Sequence, residues 1–165
     1  MPILWKLFLA AAIVIALALA LAACSVKTPF RGPGFEPERG VTLPDAGDEV
    51  VVQITHARLD RALRSAFDEQ TRRVVEDLPK HPGLIGFSVR RELLGDDVWT
   101  LSVWRDEPAL EDFIRSTTHR RARSEGSSAT LESNFRRVPW PTRLVPPSWD
   151  QALELLAETR GSTPR

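Results

Sequence analysis

Tyrosine is absent from this sequence, and cysteine and methionine occur once each. Without tyrosine there is no phenol to serve as an acid, a base or a radical relay. A single cysteine excludes an intramolecular disulfide and a multi-cysteine metal site. Net charge is lacking too. The 22 Lys and Arg are matched by 22 Asp and Glu, so nothing in the balance favours a polyanion, and no nucleic-acid partner is expected. There is no Walker loop, no Gly-rich dinucleotide fingerprint, no H-E-x-x-H and no G-x-S-x-G, which leaves those chemistries without support. Neither a metal nor a cofactor is expected. Three histidines, His56, His81 and His119, remain as the side chains whose unperturbed pKa lies near neutrality.

What the chain has in plenty stands at its N-terminus. Leu7 to Cys24 runs without a charge behind Lys6 and closes on Leu21-Ala22-Ala23-Cys24. Small residues before a cleaved bond suit a signal peptidase, and the tetrapeptide resembles a bacterial lipobox, in which the cysteine becomes the acylated N-terminus. Residues 1–24 are therefore expected to be a lipoprotein signal peptide with Cys24 as the lipidation site, placing the protein on the extracytoplasmic face of a bacterial membrane. The alternative is an uncleaved anchor helix. The run reaches the lower edge of the roughly 17–25 residues that span a bilayer. Lys27 and Arg31 behind it would then hold the domain in the cytoplasm.

Residues 25–48 are rich in proline and glycine and show neither helical nor strand periodicity, which predicts a tether. Regular structure is expected from Glu49 onward. Val50 to Thr55 is β-branched and reads as a strand. Leu59, Leu63, Phe67, Val74 and Leu78 recur near helical spacing until Pro79, Pro82 and Gly83 stop the helix. Leu84 to Arg90 and Val98 to Trp104 form a hairpin around Gly95-Asp96-Asp97. Asp106 can cap a second helix through Leu110, Phe113, Ile114 and Thr117. Leu131 to Val138, bounded by Pro139, is a fourth strand. The order β-α-β-β-α-β is the ferredoxin-like α+β arrangement. This domain is set at residues 49–145. Residues 146–165 hold a tail and a short C-terminal helix, which Ser148 and Gln151 open with a capping box.

Three strings within this domain are distinctive: Pro82-Gly83-Leu84-Ile85-Gly86-Phe87, Trp99-Thr100-Leu101-Ser102-Val103-Trp104, and the helix carrying Ala109, Leu110, Phe113, Ser116 and His119. Together they resemble the dimeric α/β-barrel superfamily of antibiotic biosynthesis and haem-degrading monooxygenases, in an uncharacterised branch. The resemblance implies a homodimer whose two four-stranded sheets close into a barrel, with one pocket per subunit between sheet and helices. A lone sheet with helices on one face leaves the other bare, and pairing would bury it.

The same resemblance implies aromatic residues around the pocket, which points to Trp104, Phe113 and Phe87; Trp104 can equally be plain core. Haem-degrading relatives carry their catalytic histidine at the position of Arg123, which speaks against haem degradation. His119 matches a histidine of the less characterised branch. On an unbroken helix it would point away from Leu110 into solvent, so a pocket role requires a break near Ser116-Thr117-Thr118, which are poor helix formers. His56, at the end of the first strand, could meet the same pocket or be a satisfied loop-edge histidine. Two functions follow as expectations. One is a membrane-tethered dimer that binds a small apolar or aromatic ligand. The other is a cofactor-independent monooxygenase of an electron-rich aromatic, with His119 or His56 as base.

Overall fold

The computed structural model describes residues 25–158. The apolar N-terminal segment with Cys24, and the tail from 159, lie outside these residues. Among the described residues no helix is long and apolar enough to cross a membrane.

The strands in chain order are β1 (Ser25–Lys27), β2 (Phe35–Glu36), β3 (Gly40–Val41), β4 (Glu49–Leu59), β5 (Leu84–Glu92), β6 (Asp97–Trp104) and β7 (Thr130–Pro141). The helices are α1 (Arg64–Asp77), α2 (Glu107–Arg115), α3 (Thr117–Gly126) and α4 (Trp149–Glu158). The main sheet is antiparallel with the order β1-β5-β6-β4-β7. Its four long strands give the ferredoxin-like α+β fold expected from the pattern. β7 runs past Pro139, expected to end it, as far as Pro141. It is an edge strand, where a proline facing outward removes no ladder bond.

Alternation along β4 sorts its side chains onto two faces. Val50, Val52 and Ile54 join one core cluster, while Val51 packs against the other, beneath the helices. The first face was expected to be bare and to await a second sheet. It is instead covered by the chain itself. From the C-terminal side Val145, Trp149, Ala152 and Leu156 pack onto it, and from the N-terminal side Phe30, Phe35, Val41, Leu43 and Ala46. α4 begins with the predicted capping box: Gln151 N donates to Ser148 Oγ at 3.2 Å, and Ser148 N donates to Gln151 Oε1 at 2.9 Å.

The expected tether is thus a correction: from Ser25 to Asp48 the backbone is docked, not free. Its prolines interrupt regular pairing, yet the amides between them still reach the β5 edge. Thr28 N donates to Val89 O at 2.8 Å and Gly34 N to Ile85 O at 3.1 Å, while Arg31 and Phe87 exchange both backbone bonds. The glycines allow the closeness. A Cβ on Gly32 would lie 2.3 Å from the Gly86 Cα, a distance no side chain tolerates.

α1 differs from the other helices in having no fully buried residue. Val74 and Val75 pack only partly buried against the cluster holding Leu84, Phe87 and Trp104, and with Phe67 they line a cavity of about 520 Å³.

Candidate functional site

The floor of this cavity is polar, while apolar side chains make up much of its walls. Gln53 and Thr55 of β4 lie in register with Ser102 and Thr100 of β6, and all four line the cavity. Neighbouring strands and period-two alternation set these side chains as a two-by-two patch of hydroxyl and amide groups. Part of their hydrogen-bonding capacity is committed. Ser102 Oγ accepts from Trp104 Nε1 at 3.0 Å, and Gln53 Oε1 accepts from Arg137 Nε at 3.3 Å. Arg137 is itself held by Glu107 and Glu111 of α2. The Ser102 hydroxyl hydrogen and the Gln53 amide N–H groups have no partner among the described residues. The walls are Phe67 and Val74 of α1, Phe87 and Val89 of β5, and Phe113 of α2.

His119 reaches the cavity through a break in the helix at Ser116. Ser116 (φ −59°, ψ 152°) ends α2 and caps α3, its Oγ accepting from His119 N at 3.2 Å. This turns the first residues of α3 inward. His119 Nδ1 lies 3.1 Å from the Ile114 carbonyl oxygen, an atom that can only accept, so Nδ1 carries the proton and Nε2 keeps its lone pair. Burial pushes the imidazole pKa below the ordinary histidine value; the Ile114 bond works against this, and the nearby Arg123 and His81 act with it. Burial thus favours the neutral imidazole with its proton on Nδ1.

An aromatic stack supports it. Phe113 lies 4.7 Å from the His119 ring and 5.0 Å from Trp104, centroid to centroid. The His81 ring meets Phe113 edge-on at 5.2 Å, and its Nε2 lies 3.1 Å from Asp77 Oδ2. That bond is the main cause holding the Asp77 carboxyl below the usual carboxylate range.

Of the residues singled out in the sequence, His119, Phe113 and Phe87 come together around the cavity. Trp104 does not line it. Fully buried, it sits behind Phe113 as core. His56 is a second correction. It shares the parity of Val50, Val52 and Ile54 and so points to the opposite face of the sheet, where it stacks on Trp99 at 5.2 Å and contacts Asp97 Oδ1 at 2.5 Å. The two candidate bases therefore belong to different surroundings. Sequence reasoning missed the polar floor and α1 as a wall. The signal was present: Gln53, Thr55, Thr100 and Ser102 are polar at alternating positions of otherwise apolar strands. Among the described residues no three His, Cys, Asp or Glu side chains gather to hold a metal ion.

Fold and geometry together define a ferredoxin-like α+β domain with a cavity of about 520 Å³ between sheet and helices and His119 in its lining. Residues 50–125, from β4 to the end of α3, match the antibiotic biosynthesis monooxygenase family. No functionally curated protein matches the sequence. Among solved structures, a candidate antibiotic biosynthesis monooxygenase from Nitrosomonas europaea superposes with a TM-score of 0.52 at 17% identity, covering 62% of this chain and 96% of that one. A conserved protein from Methanosarcina mazei Go1 gives 0.52 at 19% identity, over 55% and 92% of the two chains. A candidate monooxygenase from Lactobacillus acidophilus NCFM gives 0.52 at 11% identity; 57% of this chain is covered, but only 46% of that longer one. At such identities the likeness is one of fold.

Proposed function

We infer that the cavity takes a small planar aromatic molecule and that His119 removes a proton from it, opening a cofactor-independent oxygenation. One observation carries this reading: a histidine with Nδ1 committed to a backbone carbonyl, its basic Nε2 free, in the wall of a largely apolar chamber. The chemistry fits a ring-activated CH₂ beside a carbonyl or phenol. Nε2 takes one proton and leaves a carbanion delocalised onto the ring oxygen, which the hydroxyls of the floor can stabilise. The carbanion passes an electron to dioxygen, and radical recombination forms the carbon–oxygen bond of a peroxide. Return of the proton from His119 and loss of the second C–H proton break the O–O bond. The balance is R₂CH₂ + O₂ → R₂C=O + H₂O. Apolar walls keep bulk water from quenching the carbanion.

An oxygen electrode and an anthrone-type phenol test this. The expected result is one dioxygen consumed per substrate converted. A ligand that is retained unmodified with no oxygen uptake would instead make the protein a carrier, the second reading of the same cavity.

The reading includes a homodimer attached to a membrane through the N-terminus. β7 supports the first part, being the free edge of the sheet with Leu131 and Phe135 exposed on its helix side. A two-fold axis at Ser133 sets Leu131 opposite the partner's Phe135 and covers both, closing the cavity rim that Leu131 forms. The charge-free run ending at Cys24 supports the second. Native mass spectrometry of detergent-extracted protein reads both. A dimer with acylated Cys24 is expected; a monomer overturns the first part, and an intact Met1 with unmodified Cys24 makes the lipoprotein untenable.

A further inference from the structure

The arginines of this domain are mostly spoken for. On α3, Arg121 Nε lies 2.6 Å from Glu125 Oε1; on α1, Arg72 and Arg73 share Glu69; on β7, Arg137 is held by Glu107 and Glu111. Arg123 is the exception within the cavity. It stands one turn beyond His119 on α3, lines the same chamber, and has no carboxylate partner among the described residues. The carboxylate that also lines the cavity, Glu132, is engaged elsewhere, 3.6 Å from Arg58 Nη1. An arginine with its full fork of donors unused, at the rim of a chamber that mixes apolar walls with uncharged polar groups, is arranged for an anion that arrives with the ligand.

We propose that the natural ligand is an aromatic acid, seated so that its carboxylate pairs with Arg123 while its ring lies between the α1 wall and the polar floor. This deepens the reading above and rests on the cavity being the ligand site, whether or not the ligand is turned over. Arg123 is on this view a specificity-determining residue. It selects charged from neutral molecules of equal size, and its field over the cavity mouth draws the anion in. The pairing also places the acid's ring next to His119, four residues earlier on the same helix.

Two probes of matched shape test the proposal on the full chain: 9-anthracenecarboxylate and the neutral 9-anthracenemethanol, titrated by fluorescence. Wild-type protein is expected to favour the carboxylate by roughly tenfold. The preference should disappear in Arg123→Gln and persist in Arg121→Gln, a loss of charge two residues away. It should also shrink as salt is raised, because the pair lies at an exposed rim. Equal affinity for both probes in the wild type, or the same loss in both variants, overturns the proposal. If neither probe binds the wild type, the cavity is no aromatic site; the underlying reading fails, and the proposal falls with it.

Discussion

Trp149→Ala is expected to lower the unfolding free energy by about 3–5 kcal/mol, the range for emptying a buried tryptophan site. The side chain is 8% exposed and packs into the cluster built on Val52, Ile54 and Val103. Its loss removes more than volume. Trp149 Nε1 donates to Ser88 Oγ at 3.2 Å, and Ser88 in turn donates to Thr28 O at 2.7 Å. That chain of two bonds joins α4, the sheet and the N-terminal segment through one hydroxyl. For a domain of this size the loss corresponds to a fall in Tm of about 10 °C, read by thermal or urea unfolding. Trp149→Phe separates the contributions: it keeps most of the packing, loses the indole donor, and is expected to cost about 1–2 kcal/mol. A change below 1 kcal/mol for the alanine variant would mean that Trp149 does not anchor α4 to the sheet.

The second large effect is on turnover. His119→Ala should reduce kcat/KM for oxygen uptake by about 10²- to 10⁴-fold, the usual contribution of a positioned general base. The pH profile gives the sharper test. Because burial lowers the His119 pKa below the ordinary 6.5, the wild-type rate should rise with pH through a midpoint under that value and be level at neutrality. The limb should vanish in the variant. The same shift carries a sign for stability. The unfolded chain binds the proton more readily, so stability falls as pH drops from 6.5 toward the folded-state pKa and is constant above. Unchanged turnover in His119→Ala would remove this residue from the mechanism.

Much of this was legible in the sequence, for reasons that differ by element. The four long strands announced themselves through β-branched runs and the Gly95-Asp96-Asp97 turn, and Asp106 caps α2 as expected, accepting from Ala109 N at 2.8 Å. The break before His119 was readable because Ser116, Thr117 and Thr118 favour a cap over a helix interior. Parity could have placed His56 as well, since it alternates in step with Val50, Val52 and Ile54. Other features leave no trace in local pattern. Phe67 and Val74 recur at helical spacing whether they fill a core or wall a cavity, and only the gap between α1 and the sheet decides. The docking of residues 25–48 was hidden by composition. Prolines and glycines that suggest a loose linker also suit an irregular strand laid along an edge, and the signal lay in Phe30, Phe35 and Leu43, the apolar residues between them.

Docking of both flanks on the same sheet face sets the order in which the molecule can be completed. As the chain leaves the ribosome, β4, β5 and β6 are made well before α4, and the apolar side holding Val52, Leu101 and Val103 stays without its C-terminal cover until the last helix has emerged. The nascent domain thus carries a sticky surface through most of its synthesis, the condition under which chains aggregate or recruit a chaperone. The final ten helical residues act as the latch of biosynthesis: a ribosome that stalls or stops short of Trp149 releases a sheet whose helix side is finished and whose other side is not.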